Sequence, residues 1–325
     1  MAHYTLSTLP VADGALLACY DWALPRHATP RGTVLLVHGL GEHMGRYDAL
    51  AQDINRWGFA VRGYDHYGHG QSQGQPGTLP SDTRLLDDLA EMVDATREHM
   101  ARSMAPGAPL ILLGHSLGGL VVGRFVALNM RPVDALVMSS PALDPGLSPV
   151  QKLLLATLPH IAPNLCVSNG LDTRYLSHDD AVAQAYRADR YCHDRVSGRL
   201  ARFIADAGPA TVAQAARWTV PTLLLFAGSD RLVNPAGSRA FAAAAPQSMV
   251  TVQAFEPLYH EIFNEAEPAR HEVLAVLRGW LDQQLLHTSS YQMSYSDTSL
   301  PLASPASERS TTARPSVGAK DSMKA

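Results

Sequence analysis

Apolar and polar positions along this chain fall into two alternating kinds of stretch. Short, almost uninterrupted apolar runs bounded by turn residues stand at Thr33–Val37, Phe59–Val61, Leu110–Leu113, Ala135–Met138, Thr222–Phe226 and Met249–Ala254, and runs of that length predict strands. Between most of them, apolar positions recur at the spacing of a helix that turns one face to a core. Strands apolar on both sides and separated by helices predict an α/β fold, with a mostly parallel sheet covered on both faces, because each crossover lays a helix on the sheet.

The alternation stops between Pro141 and Trp218. Helical patterns such as SPVQKLLLATL and DAVAQAY occur there without a convincing strand, so residues 144–217 are expected to form an inserted helical cap. The core, which occupies residues 1–143, resumes over 218–287 and closes with EPARHEVLAVLRGWLDQQLL. In that segment Val273, Val276, Leu277, Trp280, Leu281 and Leu285 recur at helical spacing. Past His287 the periodicity ends. Residues 288–325 are rich in Ser, Thr and Pro and have no apolar face, so they are expected to be disordered, with nothing to offset their ordering entropy.

Composition refines this only slightly. With 325 residues, 46% hydrophobic and 17% charged, the chain suits one elaborated domain with ample apolar surface to bury. A net charge of −4 and the lack of a Lys/Arg cluster argue against a nucleic-acid partner. Cys19, Cys166 and Cys192 are odd in number and far apart, which suggests neither a disulfide framework nor a thiolate metal site and leaves buried, ordinary thiols as the expectation. The N-terminus lacks a basic region followed by an apolar core, and no segment approaches the ~18 apolar residues of a membrane span, so a cytoplasmic protein is expected.

One junction calls for chemistry. PLILLGHSLGGLVVGR, residues 109–124, sets a histidine and a serine among glycines between a strand pattern and a helix pattern. Gly114, His115, Ser116, Leu117 and Gly118 match G-x-S-x-G, the strained turn that lifts a serine hydroxyl clear of a sheet. The pattern alone arises by chance in roughly one chain in ten of this length; the strand-to-helix setting is what distinguishes it. A serine hydroxyl is a poor nucleophile until a base takes its proton, and the base needs an orienting acid. In this architecture the partners should follow in the order Ser, Asp or Glu, His, each just past a later strand. Asp230 follows the run at Thr222–Phe226 and His260 the run at Met249–Ala254. The oxyanion needs preorganised donors, for which the backbone amides of Leu117 and of Leu40, in VHGLGEHMGRY, are the candidates. Activity is then expected to fall as His260 becomes protonated, near or below the ordinary imidazole value of about 6.5.

Two rival readings fit less well. Gly39, Gly41 and Gly45 after a strand, with Asp65 twenty residues on, imitate a dinucleotide fingerprint, but the spacing is G-x-G-x-x-x-G and Ser116, Asp230 and His260 go unexplained. For metal, HEIFN and HEVLA lack the second histidine of H-E-x-x-H, and His66 with His69 has no partner cluster, so no metal ligand is assigned.

Together, HGLGEHMGRY (38–47), YDHYGHGQSQG (64–74), GHSLGG (114–119), and AGSD (227–230) with LYHEIFNE (258–265) resemble the α/β-hydrolases of the monoacylglycerol lipase and lysophospholipase group. The resemblance spans roughly residues 10–285. It implies the α/β-hydrolase fold and an esterase that releases one acyl chain from glycerol without a cofactor, with a helical cap forming an apolar tunnel. It further implies a small lipid or ester substrate and positions near the glycerol head for Glu42, Arg46 and Tyr186; transient membrane-surface contact through the cap stays open, since an apolar cap can touch lipid without an anchor. A salt bridge bracing the loop is an equal reading of the Glu42 and Arg46 pair. Lysophospholipase, general carboxylesterase and acyltransferase activities keep the same triad, and a non-catalytic binding module would keep only the fold. Where the group usually has glycine shortly before the histidine, this chain has Glu256, Pro257 and Leu258, so a displaced or stiffer loop around His260 is anticipated.

Overall fold

Eight strands form one sheet: β1 (Thr5–Pro10), β2 (Leu16–Trp22), β3 (Thr33–Val37), β4 (Ala60–Tyr64), β5 (Leu110–His115), β6 (Ala135–Ser139), β9 (Thr222–Ala227) and β10 (Val250–Phe255). Their order across the sheet is β1-β2-β4-β3-β5-β6-β9-β10. The computed structural model describes residues 3–25, 27–144, 146 and 163–296. From β4 to β10 every neighbouring pair is parallel, and β2 pairs antiparallel with both β1 and β4.

Apolar runs became strands because both sides of each are covered. In β3, Leu35 and Val37 enter one core cluster and Val34 and Leu36 the other, all four fully buried. The first cluster is closed by α2 (Arg84–Ser103), α3 (Leu117–Ala127), α5 (Gly198–Val212) and α6 (Ala236–Ala244); the second by α1 (Asp48–Arg56) and α7 (Ala269–Ser296). Each fully buried Leu or Val contributes about 1.5–3 kcal/mol of transfer free energy. All six strands expected from the pattern are present, β3 with the expected bounds and the others with shifted ends; β4 and β5 run furthest past their expected carboxyl ends.

The first two strands escape a search for apolar runs. β1 is exposed along nearly its whole length and is held by its ladder to β2. β2, LLACYDW, splits its residues between the two clusters and carries Asp21, which accepts from Arg62 Nε at 2.6 Å.

Residues 163–217 hold α4 (Asp180–Ala188), α5 and, against expectation, a small antiparallel pair, β7 (Cys166–Ser168) with β8 (Arg195–Ser197). Three-residue strands are too short to leave an apolar run, which is why none was legible. The helical pattern at 148–158 lies outside the described residues. Cys19 is buried as expected, but Cys166 and Cys192 are only half-buried because they sit on this surface segment; all three thiols are free. On α7, Val273, Leu277, Trp280 and Leu281 form the expected buried face. The helix continues past Thr288 to Ser296, while residues 297–325 of the expected tail lie outside the described residues. Among the described residues no helix is long and apolar enough to cross a membrane.

Candidate active site

Parallel strands ending on one edge of a sheet place their following loops together, and the loops after β3, β5, β9 and β10 bring Leu40, Ser116, Asp230 and His260 there. Ser116 joins β5 to α3 with φ 56° and ψ −118°, a conformation that costs a non-glycine residue about 1–3 kcal/mol. Three backbone bonds hold it: Ser116 N donates to Ser139 O at 2.9 Å, and Leu120 N and Ala142 N donate to Ser116 O at 3.0 Å. The flanking glycines are required by close approach. A Cβ on Gly114 would lie 2.3 Å from Gly118 O, and one on Gly118 would lie 2.0 Å from Val37 O.

Asp230 receives Leu232 N and Val233 N on Oδ1, at 2.8 and 3.0 Å, and faces His260 Nδ1 with Oδ2 at 2.6 Å. Burial works to raise the Asp230 carboxyl, but His260 and the two amides outweigh it and hold it below the usual range. An ionised Asp230 fixes the imidazole proton on Nδ1 and leaves Nε2 as an acceptor. For His260, burial disfavours the charged form, yet Asp230, then Glu261 and Glu42, lift it above the ordinary imidazole value. The acid limb of activity therefore belongs above about 6.5 and not near or below it; the combined effect of Asp230, Glu261 and Glu42 on the ring was not weighed from the sequence. The unusual residues 256–258 make a turn in which Leu258 N donates to Phe255 O at 3.1 Å, and the loop still delivers His260 to Asp230. Ser116 and His260 line the same two cavities without a hydrogen bond between them among the described residues.

The backbone N–H groups of Leu40 and Leu117 have no acceptor among the described residues, and both residues line the larger cavity beside Ser116. Glu42 uses its carboxylate within its own loop: Oε1 accepts from Gly39 N at 2.6 Å and Tyr47 OH at 2.7 Å, and Oε2 from Arg46. Arg46 also donates from Nη1 and Nη2 to the two oxygens of Glu261, both at 2.8 Å. Tyr186 donates to Gly41 O at 2.8 Å, with the Arg46 guanidinium 5.0 Å above its ring.

Sequence reasoning missed Glu261, although it adjoins His260 in the motif that was read. It also missed His43, Asp189 and Cys192, whose potential ligand atoms lie within 4.8 Å of one another. His43 Nδ1 accepts the Gly45 amide at 3.2 Å, which places the ring proton on Nε2, donated to Asp189 Oδ2 at 2.9 Å. Such a tautomer suits a hydrogen bond between loops more than metal ligation, which needs a bare nitrogen. His66 and His69 pack with His38 and His193 under the same loop, and burial pushes His66 down to about 4. Asp65, the rival ribose ligand, is buried and receives Met44 N, Gln71 N and Tyr20 OH at 2.7 to 2.9 Å.

Two unequal cavities meet at Ser116 and His260. The larger, about 170 Å³, is walled by apolar side chains including Leu117, Leu171, Val196, Ile204 and Val233. The smaller, about 60 Å³, is bordered by Leu40, Leu171, Leu176 and Leu232 together with Glu42, His115, Tyr186 and Glu261. His115 is neutral there: burial, then the proximity of His260, pushes it down to about 3.

Comparison with known proteins agrees with this arrangement. The family described as serine aminopeptidase, S33, matches residues 28–267. The monoacylglycerol lipase of Mycolicibacterium smegmatis is 34% identical over 276 residues, covering 84% of this chain and 95% of the relative. Phospholipase YtpA of Bacillus subtilis is 30% identical and covers 82% and 100%. Among solved structures, the monoacylglycerol lipase of Paleococcus ferrophilus superposes with a TM-score of 0.71 at 34% identity, covering 83% of this chain and 99% of that one. A match over most of the chain, on a parallel sheet with a strained serine at its carboxyl edge, places this protein in the serine aminopeptidase S33 family of α/β-hydrolases.

Proposed function

We propose that this protein hydrolyses monoacylglycerol-like esters to fatty acid and glycerol through an acyl-enzyme on Ser116. The observation that carries the reading is the pair of adjoining cavities at Ser116 and His260, one near 170 Å³ and walled mostly by apolar side chains, the other near 60 Å³, also largely apolar but with Glu42, Tyr186 and Glu261 on its border. An acyl chain suits the first, and a small polyol suits the size and the few polar border groups of the second. Relatives named monoacylglycerol lipase support the same substrate class.

In this reading His260 Nε2 accepts the Ser116 proton as Oγ attacks the ester carbonyl. Asp230 stabilises the imidazolium, and the Leu40 and Leu117 amides hold the oxyanion, each contributing about 3 kcal/mol when preorganised. The imidazolium then protonates the departing glycerol oxygen. Water, deprotonated by the same nitrogen, attacks the acyl-enzyme and releases the fatty acid. Side chains, amides and water supply every proton and electron pair in these steps. Residues 144–217 serve as the cap, and their exposed Leu165, Val167 and Leu171 offer a surface for brief contact with lipid.

The phospholipase relative favours one second reading, hydrolysis of lysophospholipids. Release of fatty acid from monoacylglycerols of graded chain length, beside lysophosphatidylcholine and short p-nitrophenyl esters, separates the two. Ser116-dependent turnover that peaks on monoacylglycerols is expected. A peak on lysophosphatidylcholine would move the substrate class, and turnover confined to the short esters would remove lipid from the reading.

A further inference from the structure

Two loops must be held at a fixed separation for this reaction, and they lie far apart in the sequence. Residues 38–47 carry Leu40, and residues 256–265 carry His260. They are joined at Arg46 and Glu261, 215 positions apart, by a bidentate fork with both bonds at 2.8 Å. Both side chains are almost wholly buried, at 11% and 5% exposure. Asn264 Nδ2 donates to Glu261 Oε2 at 2.8 Å, which orients the carboxylate for the fork. On the other side Arg46 reaches Glu42, whose Oε1 receives Gly39 N, one peptide before the Leu40 amide. A continuous chain of charge-assisted bonds therefore runs from the residue after the base to the peptide before the oxyanion donor.

We propose that Glu261 is a positioning residue which, through the Arg46 fork, sets the spacing between the His260 base and the oxyanion loop. The inference rests on ester hydrolysis through Ser116. Stability is a poor reason for such a group, because removing two charges from water costs about what their attraction returns, and apolar residues of similar size commonly serve as well. Geometry is a better one: the planar guanidinium and carboxylate lock distance and orientation together, and a misplacement of about 1 Å near the reacting atoms costs about a hundredfold in rate. Arg46 carries one positive charge against the two carboxylates of Glu42 and Glu261, so a net negative charge lies near His260. Glu261 and Glu42 add to Asp230 in raising the His260 imidazole.

The test uses Glu261→Gln, Glu261→Asp and Arg46→Lys in the full chain, with Ser116→Ala as control, on p-nitrophenyl butyrate, so the result does not depend on the lipid assignment. Glu261→Gln breaks the fork and removes the charge. Its kcat is expected to fall ten- to a hundredfold with KM within about twofold, and the acid limb of kcat/KM should move to lower pH. Glu261→Asp keeps the charge but shortens the reach, so kcat should fall while the acid limb stays; Arg46→Lys should lower kcat in the same range. Folded variants that retain the parent's kcat and pH profile overturn the proposal. So does failure of all three to fold, which would make the pair a requirement of the fold alone. A parent lacking Ser116-dependent turnover overturns the functional reading and this inference together, whereas an active parent with unaffected Glu261 variants overturns this inference only.

Discussion

The carboxyl edge of the sheet and the 163–217 segment border the same cavities, yet they are held by different means. Ser116, Asp230 and His260 are placed by backbone: strand ladders, a glycine-lined junction too close for any Cβ, and amides closing on Asp230 Oδ1. The 163–217 segment is tied to the core by Leu200 and Ala207 of α5 in the first cluster, by a few backbone bonds such as Glu261 N to Leu176 O at 2.7 Å, and by many side chains reaching backbone or each other. Tyr186 donates to Gly41 O at 2.8 Å, His178 Nδ1 meets Glu265 Oε1 at 2.9 Å, and Arg199 Nη1 donates to Leu79 O at 2.6 Å. Individual side-chain bonds of that kind are worth about 1 kcal/mol, so single contacts of the segment can change at low cost, whereas the serine junction admits no added Cβ. The difference separates chemistry, which tolerates no displacement, from substrate choice, which varies with what lines the cavity.

Substitutions that respect this division should confirm it. The largest effect is expected at the sheet edge: Ser116→Ala should lower turnover of every ester alike, by about 10⁶-fold, with the melting temperature near that of the parent. Survival of one ester class in that variant would break the division. Asp230→Asn should follow at about 10⁴-fold, because the amide no longer fixes the Nδ1 proton, again without regard to chain length. Across the cavity, Leu171→Asp should spare short esters and lower kcat/KM about tenfold on long-chain monoacylglycerols, the equivalent of roughly two methylenes losing an apolar wall at about 0.8 kcal/mol each. Uniform loss on short and long esters would place that wall in the chemistry instead.

Acidity sharpens the comparison from the sheet side. His260 is lifted above its ordinary value, so the neutral base predominates only above that raised pKa, and activity should fall as pH drops through it. Plots of kcat/KM against pH should bend above about 6.5; a rate flat to about pH 4 would remove His260 as the base. The smallest effect is expected for Tyr186→Phe, which loses one bond to Gly41 O. It should cost about 1 kcal/mol of stability, measured by urea unfolding, and change kcat by no more than a few fold.

Much of this site could be read before the fold was seen, because its residues are sequence neighbours of the strands that carry them. Ser116, Asp230, His260 and Leu40 each follow an apolar run directly. Glu261 escaped because nothing in LYHEIFNE says that its carboxylate reaches Arg46. The fork to Arg46 and the His43–Asp189 bond likewise join residues 215 and 146 positions apart, and no local signal marks such a pair. β1 and β2 were missed for a related reason, since their ladder, not their apolar content, holds them in the sheet.

The sequence by itself determined the central parallel strands, the helices that cover them, the serine junction and the chain order of the residues expected to react, because periodicity and close packing act over a few residues. Tertiary structure alone decided that Glu261 stands beside His260, how Glu42 is engaged, where two adjoining cavities meet at Ser116, and that a fork at Arg46 joins loops 215 positions apart. Burial can be read from a pattern, but partnership depends on distance in space, which a pattern does not contain.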